Sequence, residues 1–344
     1  MKLIVIIVFF GVFHVSAQDV HFSQFWNNGI QYNPASAGVI PANFRASVFY
    51  RDQWSSIGAK YKTYGANVDA RFETNGSASF GLGLDLYRDV AGDLDLGTTN
   101  IQIAFSTILS LNRHNKISLG VKGGIIQKGF DGSNAEWNSQ YSGGVYDGSL
   151  GSGEVFNSVS EIKADLSAGV VYAYSTSESY MTANDKFNFK IGASYNHIIR
   201  PKFDWFYTGP DKMYGNLVLH ADALIGVPNS KWSILPAIIV QFQGPSKEIL
   251  FGSQYRIELK GASKVTGFVK GAYFSLGTFY RWGDAFIPSL TFEFDHYSIG
   301  LSYDFNTSQL RTATNGNGGF EISLKFRTPN PYLWKGRSFS KSRI

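Results

Sequence analysis

The residues that could carry chemistry are few and badly spaced for it. Beyond the first seventeen positions the histidines are His21, His114, His197, His220 and His296. None stands two to four residues from another, so no metal-ligand spacing appears. Cysteine is absent, with a count of 0. That removes a thiolate site, a cysteine nucleophile and a disulfide framework. His220 and Asp222 fall on one face of an extended segment and, with a serine, could make a hydrolytic set. Such a pair more often lines a polar interior. Gly81-Leu82-Gly83 and Gly123-Gly124 lie inside strand-like segments, where close packing explains them better than phosphate binding. Asp131-Gly132-Ser133-Asn134 lacks the acidic repetition of a calcium loop. The sequence therefore predicts no enzyme and no cofactor. Net charge is +5, with basic residues spread along the chain except at the C-terminus. That is not a nucleic-acid surface.

The elements that would position these residues are strands. The 344-residue chain is 16% aromatic and 17% charged, with 37 glycines. Soluble domains average roughly 25% charged. Mean hydropathy is only −0.11. A chain that meets lipid yet stays this polar places every second residue toward water, as a transmembrane β-barrel does. The start reads as a Sec signal peptide over 1–17. Met1-Lys2 is positive, Leu3 to Val12 is apolar, and Val15-Ser16-Ala17 suits a peptidase. The apolar run is too short for a spanning helix, which needs roughly 20 residues.

Beyond the signal the dominant period is two. Phe320-Glu-Ile322-Ser-Leu324-Lys-Phe326 and Phe187-Asn-Phe189-Lys-Ile191 alternate cleanly, as half-buried strands do. Strands are predicted near 44–54, 61–72, 77–89, 94–111, 115–128, 161–177, 185–199, 214–227, 231–243, 247–257, 271–282, 284–294, 296–306 and 318–327. The fold expected is all-β, an antiparallel up-and-down barrel of about 14 strands over 43–327. Long connections at 129–160, 200–213 and 307–317 fall on one side, the expected extracellular side. The long 258–270 link and the tight turn at Gly283 fit badly. Either strands extend there beyond the membrane or the count near 247–282 is off by one hairpin. Tyr50, Trp54, Tyr61, Tyr87, Trp205, Tyr207, Trp232, Tyr280 and Trp282 lie near strand ends, as interfacial girdles would.

Before the first strand stand Phe22-Ser23-Gln24-Phe25 and Tyr32-Asn33-Pro34-Ala35-Ser36-Ala37-Gly38. Arg45, Tyr50-Arg51-Asp52-Gln53-Trp54 and Thr63-Tyr64 follow. This order resembles the start of the PorP/SprF family of type IX secretion proteins of Bacteroidetes. Asp284 to Ser289, Ile299 to Asn306 and Gly318 to Glu321 resemble its C-terminal half. The resemblance implies an integral outer-membrane barrel, reached after Sec export, in the secretion and gliding-motility apparatus. It implies work by protein contacts on a large secreted adhesin that carries a C-terminal sorting domain. Periplasmic lipoproteins and other type IX components are the further partners it implies, beside the membrane lipid itself.

The motif lies in a pre-strand segment, 18–42. Asn33-Pro34 sets a turn and Gly38 frees one. The segment either enters the lumen or caps the periplasmic mouth. Residues 328–344 form a basic-aromatic periplasmic tail with Trp334, Lys335 and Arg337, readable as a docking peptide or as a plain extension. The contact residues expected are Phe22, Ser23, Gln24, Asn33, Pro34, Ala35, Gly38 and Arg51, with Trp334, Lys335 and Arg337. The alternative function is a channel or transporter for small solutes, with Arg45, Asp85, Lys122 and Lys190 setting selectivity.

Overall fold

The computed structural model describes residues 19–55, 61–74, 76–92, 94–131, 136–153, 160–176, 184–204, 211–261 and 271–328. The expected signal peptide and the tail beyond Thr328 lie outside the described residues. Among the described residues fourteen antiparallel strands close into a barrel. They are β1 Phe44–Gln53, β2 Tyr61–Glu73, β3 Ala78–Ala91, β4 Leu96–Ser110, β5 Asn115–Gly129, β6 Ser160–Ser175 and β7 Phe187–Asn196. β8 Asn216–Gly226, β9 Trp232–Gln243, β10 Ser246–Lys260, β11 Ala272–Arg281, β12 Ala285–Phe294, β13 Tyr297–Asn306 and β14 Asn317–Arg327 complete it. Each strand pairs with its sequence neighbours, and β1 closes on β14 from Arg45↔Arg327 to Gln53↔Gly319. The count near 247–282 therefore stands. The poor fit arises because β10 runs on to Lys260, with a register shift between Glu258 and Lys260.

The period of two becomes an inside and an outside. Leu82, Leu84, Ile101, Ile103, Phe105, Leu119 and Val121 face outward and are exposed. Ser47, Asn67, Gln102, Ser106, Ser167, Gln254 and Ser302 face inward and are buried. An apolar exterior around a polar interior is inverted relative to a soluble sheet and belongs in lipid. Two aromatic belts flank the apolar band. At the end that holds both termini, Phe44 and Tyr297 pack on Phe326, and Tyr174 packs on Phe187. At the far end Tyr50 meets Tyr64, Trp54 meets Tyr61 and Tyr280 meets Trp282. The longest described-strand connection, between β5 and β6, leaves from the far end, which marks that end as extracellular.

A lumen-filling segment as the candidate functional site

Residues 19–43 run down the inside of the barrel. Asp19 sits at the far end, where its backbone N–H donates to Gln243, the last residue of β9. Its carboxylate accepts from Asn216, the first residue of β8, and pairs with His197 just beyond β7. Gly38 and Asn43 reach the opposite end, bonded to Asp69 and Arg71 near the close of β2. The segment has no long helix of its own. It turns through Phe25–Asn27, Gly29–Tyr32 and Pro34–Ser36, each a single short turn. A chain this irregular survives in a buried lumen only if the wall supplies its hydrogen bonds.

The wall does so most densely around Ser23 and Gln24. Glu321 on β14 accepts both backbone N–H groups, at 2.7 Å and 2.9 Å. Ser23 Oγ donates to Asp304 on β13 at 2.7 Å. Arg51 and Arg281 each reach Asp304 at 2.9 Å, and Arg281 Nη2 also donates to Ser23 Oγ. Arg51 Nη1 donates to the His21 carbonyl and lies 3.7 Å from Glu321. Two arginines and two carboxylates, all buried, thus clamp one turn of chain. Buried charges are tolerable only when paired and hydrogen-bonded in this way.

Phe25 and Trp26 find a different wall. Val218, Ala237, Ile239, Leu250, Phe279, Ala285 and Ile287 point into the lumen and form an apolar strip. Trp26 stacks on Phe279 with ring centroids 4.2 Å apart. Lower down, Asn33 accepts from Ala35 N–H at 3.0 Å and donates to the Val170 carbonyl at 3.0 Å. His220 Nε2 lies 3.1 Å from Asn33 Nδ2 and accepts there. Pro34 and Ala35 pass directly over β5, so close that a Cβ on Gly120 would lie 2.4 Å from Ala35 N. Gly81 makes room for the Ala37 carbonyl in the same way. Gly38 takes φ +70° at the exit turn.

The expected contact residues divide cleanly. Phe22, Ser23, Gln24, Asn33, Pro34, Ala35 and Gly38 lie along the lumenal segment, and Arg51 reaches them from β1. Trp334, Lys335 and Arg337 lie outside the described residues. Asp304, Glu321 and Arg281 are the contacts that sequence reasoning missed as a clamp. Asp19 and His197 form a second lock. His197 sits between Asp19 at 2.8 Å and Asp165 at 2.9 Å. Burial alone would lower the His197 pKa, but the two carboxylates override it and push it up to about 10. Burial likewise opposes ionisation of Asp19, yet His197 and the amides of Gln243 and Asn216 hold it down to about 2. Burial takes His21 down to about 4, against the pull of Glu248.

The polar wall residues are mutually paired: Arg45 with Asp69, Lys122 with Asp85, Lys190 with Asp222. His220 and Asp222 therefore have partners other than a serine. Among the described residues no group of three or more His, Cys, Asp or Glu is arranged to hold a metal. The cavities beside the segment measure about 30 Å³, room for a water or two.

A family model described as type IX secretion system membrane protein PorP/SprF matches residues 14–326. No curated protein matches the sequence. Among solved structures, the toluene transporter TbuX of Ralstonia pickettii is similar at 11% identity. That match covers 87% of this chain and 93% of TbuX, with a TM-score of 0.44. BamA from Haemophilus ducreyi, lacking POTRA domains 1–3, is similar at 10% identity over 83% of this chain and 70% of its own, with a TM-score of 0.39.

Proposed function

Because the chain belongs to the PorP/SprF family of type IX secretion system membrane proteins, we propose that this outer-membrane barrel supports the export or surface attachment of one large secreted adhesin. It acts by protein contacts at its two aqueous ends. One observation carries the reading: the lumen is filled along its height by the chain's own residues 19–43. A barrel of this width would otherwise hold water or a ligand. Its inner charges are paired with one another or with the segment, so they do not line an open path. The partners proposed are an adhesin with a C-terminal sorting domain and other type IX components, periplasmic lipoproteins among them. Trp334, Lys335 and Arg337 are proposed as contacts on the periplasmic side.

Native-membrane co-purification with mass spectrometry tests this. An adhesin or a type IX component should be recovered with the full chain and reduced when 330–344 are removed. Normal surface display of every adhesin in a strain lacking the protein would overturn the reading. So would solute-selective conductance by the intact protein in a planar bilayer, which would favour a small-solute channel instead.

A further inference from the structure

The lumen holds a cavity of about 30 Å³ between the lumenal segment and strands β3 to β9. Asp19, Asn100, Ser167, Asn196 and Asn216 all line it. Each of the five carries a buried side-chain oxygen without a hydrogen-bond partner: Asp19 Oδ1, Asn100 Oδ1, Ser167 Oγ, Asn196 Oδ1 and Asn216 Oδ1. Exposure of the four wall residues is 2% for Asn100, 2% for Ser167, 6% for Asn196 and 4% for Asn216. Native interiors rarely leave even one such acceptor orphaned, because each costs about 1–3 kcal/mol. Five around one small void require a ligand that gives without accepting.

The cationic side chains at the cavity are not that ligand. Lys122 directs its ammonium to the carbonyls of Ile30 and Gln31 and to Asp85. His197 directs both ring nitrogens to Asp19 and Asp165. The amide orientations are fixed by their other halves. Asn196 Nδ2 donates to the Tyr32 carbonyl, and Asn216 Nδ2 donates to Asp19 and Gln241. A flip would not turn those oxygens into donors without breaking these bonds. Formal charges decide the valence. Asp19, Asp85 and Asp165 are negative, Lys122 and His197 are positive, and one negative charge is left over.

We propose that this cavity binds a single monovalent alkali cation, held by the oxygens of Asp19, Asn100, Ser167, Asn196 and Asn216. Carboxylate, amide carbonyl and hydroxyl oxygens are the donors that hard cations take. Asp19 belongs to the lumenal segment and the other four belong to the wall. The ion therefore staples the segment to β4, β6, β7 and β8 near the extracellular end.

Hydrogen exchange of the full-length protein in detergent tests this, with sodium chloride as the probe. Choline chloride holds the ionic strength constant. If the segment opens only when the ion leaves, then above the dissociation constant each tenfold rise in sodium slows exchange of the amides near Asp19 tenfold. Asn100→Leu removes one ligand oxygen that holds no part of the segment. It should flatten the sodium dependence, while heat-modifiable migration reports an intact barrel. Equal exchange in sodium and choline for the wild-type chain overturns the proposal and assigns the cavity to water. A response to calcium or magnesium with none to sodium overturns it too.

Discussion

Replacing Gly120 by alanine should unseat the lumenal segment and leave the barrel standing. The added Cβ would lie 2.4 Å from Ala35 N and 2.5 Å from Ala35 Cα, against 3.4–4 Å for ordinary contact. The segment would have to retreat by about 1 Å, the difference between 3.4 Å and 2.4 Å. It has nowhere to go. Asn33 is bonded to Val170 and Ala193, and the Ala37 carbonyl accepts from Ser106. Overpacking of this kind costs about 1–3 kcal/mol. Removing a glycine from a strand interior returns about 0.5–1 kcal/mol to the barrel, whether or not the segment is docked. The whole cost therefore falls on docking, and the opening equilibrium should rise by a factor of about 5 to 150. Hydrogen exchange at Ala35 and Gly38 reads it, since both amides are bonded only when the segment is seated. Gly97→Ala is the control, because its nearest heavy atom would be at 3.4 Å. Wild-type exchange at Ala35 and Gly38 in the Gly120→Ala protein would refute the placement of the segment against β5.

Glu321→Gln keeps the shape but removes the charge that accepts Ser23 and Gln24 and faces Arg51. Breaking a buried pair costs about 3–5 kcal/mol, so exchange at Ser23 and Gln24 should rise at least a hundredfold; no change would mean the clamp is not formed. The Asp19–His197 lock should be pH-dependent. The raised His197 pKa contributes stability that is full below 6.5 and lost as pH rises toward about 10. The lowered Asp19 pKa contributes stability that is present above 3.8 and lost as pH falls toward about 2. Protection factors near Asp19 should thus be higher at pH 6 than at pH 9.5, and a flat profile would contradict the lock. Deleting 19–38 should convert a barrel of low conductance into an open pore in planar bilayers. An unchanged trace would mean that something other than this segment closes the lumen.

Much of the wall was legible in the sequence. Alternation of the kind in Phe320 to Phe326 survives any context, because it is local and its period is that of the pleat. The path of 19–43 was not legible. Its bonds run to residues such as Glu321 and Asp304, nearly three hundred positions away, and no local pattern encodes them. The motif around Asn33 and Gly38 marked the segment as special without saying where it goes. One signal was available and passed over. In β9 the stretch Ile234-Leu235-Pro236-Ala237-Ile238-Ile239-Val240 is apolar on both faces. A membrane strand with nothing but water inside has no reason to be so. The inward set, Ala237 and Ile239, was announcing Phe25 and Trp26. The glycines of Gly81 and Gly120 carried the same message as missing side chains, readable as a groove only once the groove's occupant is known.

The clamp on Ser23 and Gln24 also sets an order of events. Its carboxylates sit on β13 and β14, the last two strands of the chain, while the turn they hold precedes the first strand. β14 is also the strand that closes the cylinder against β1. Docking of the segment and sealing of the wall therefore await the same residues. Contacts this distant in sequence make assembly slow. Until translation and export have delivered Glu321, the chain has neither a complete wall nor a fixed interior. A truncated product lacks both at once, which gives the cell a single structural criterion for telling finished copies from unfinished ones.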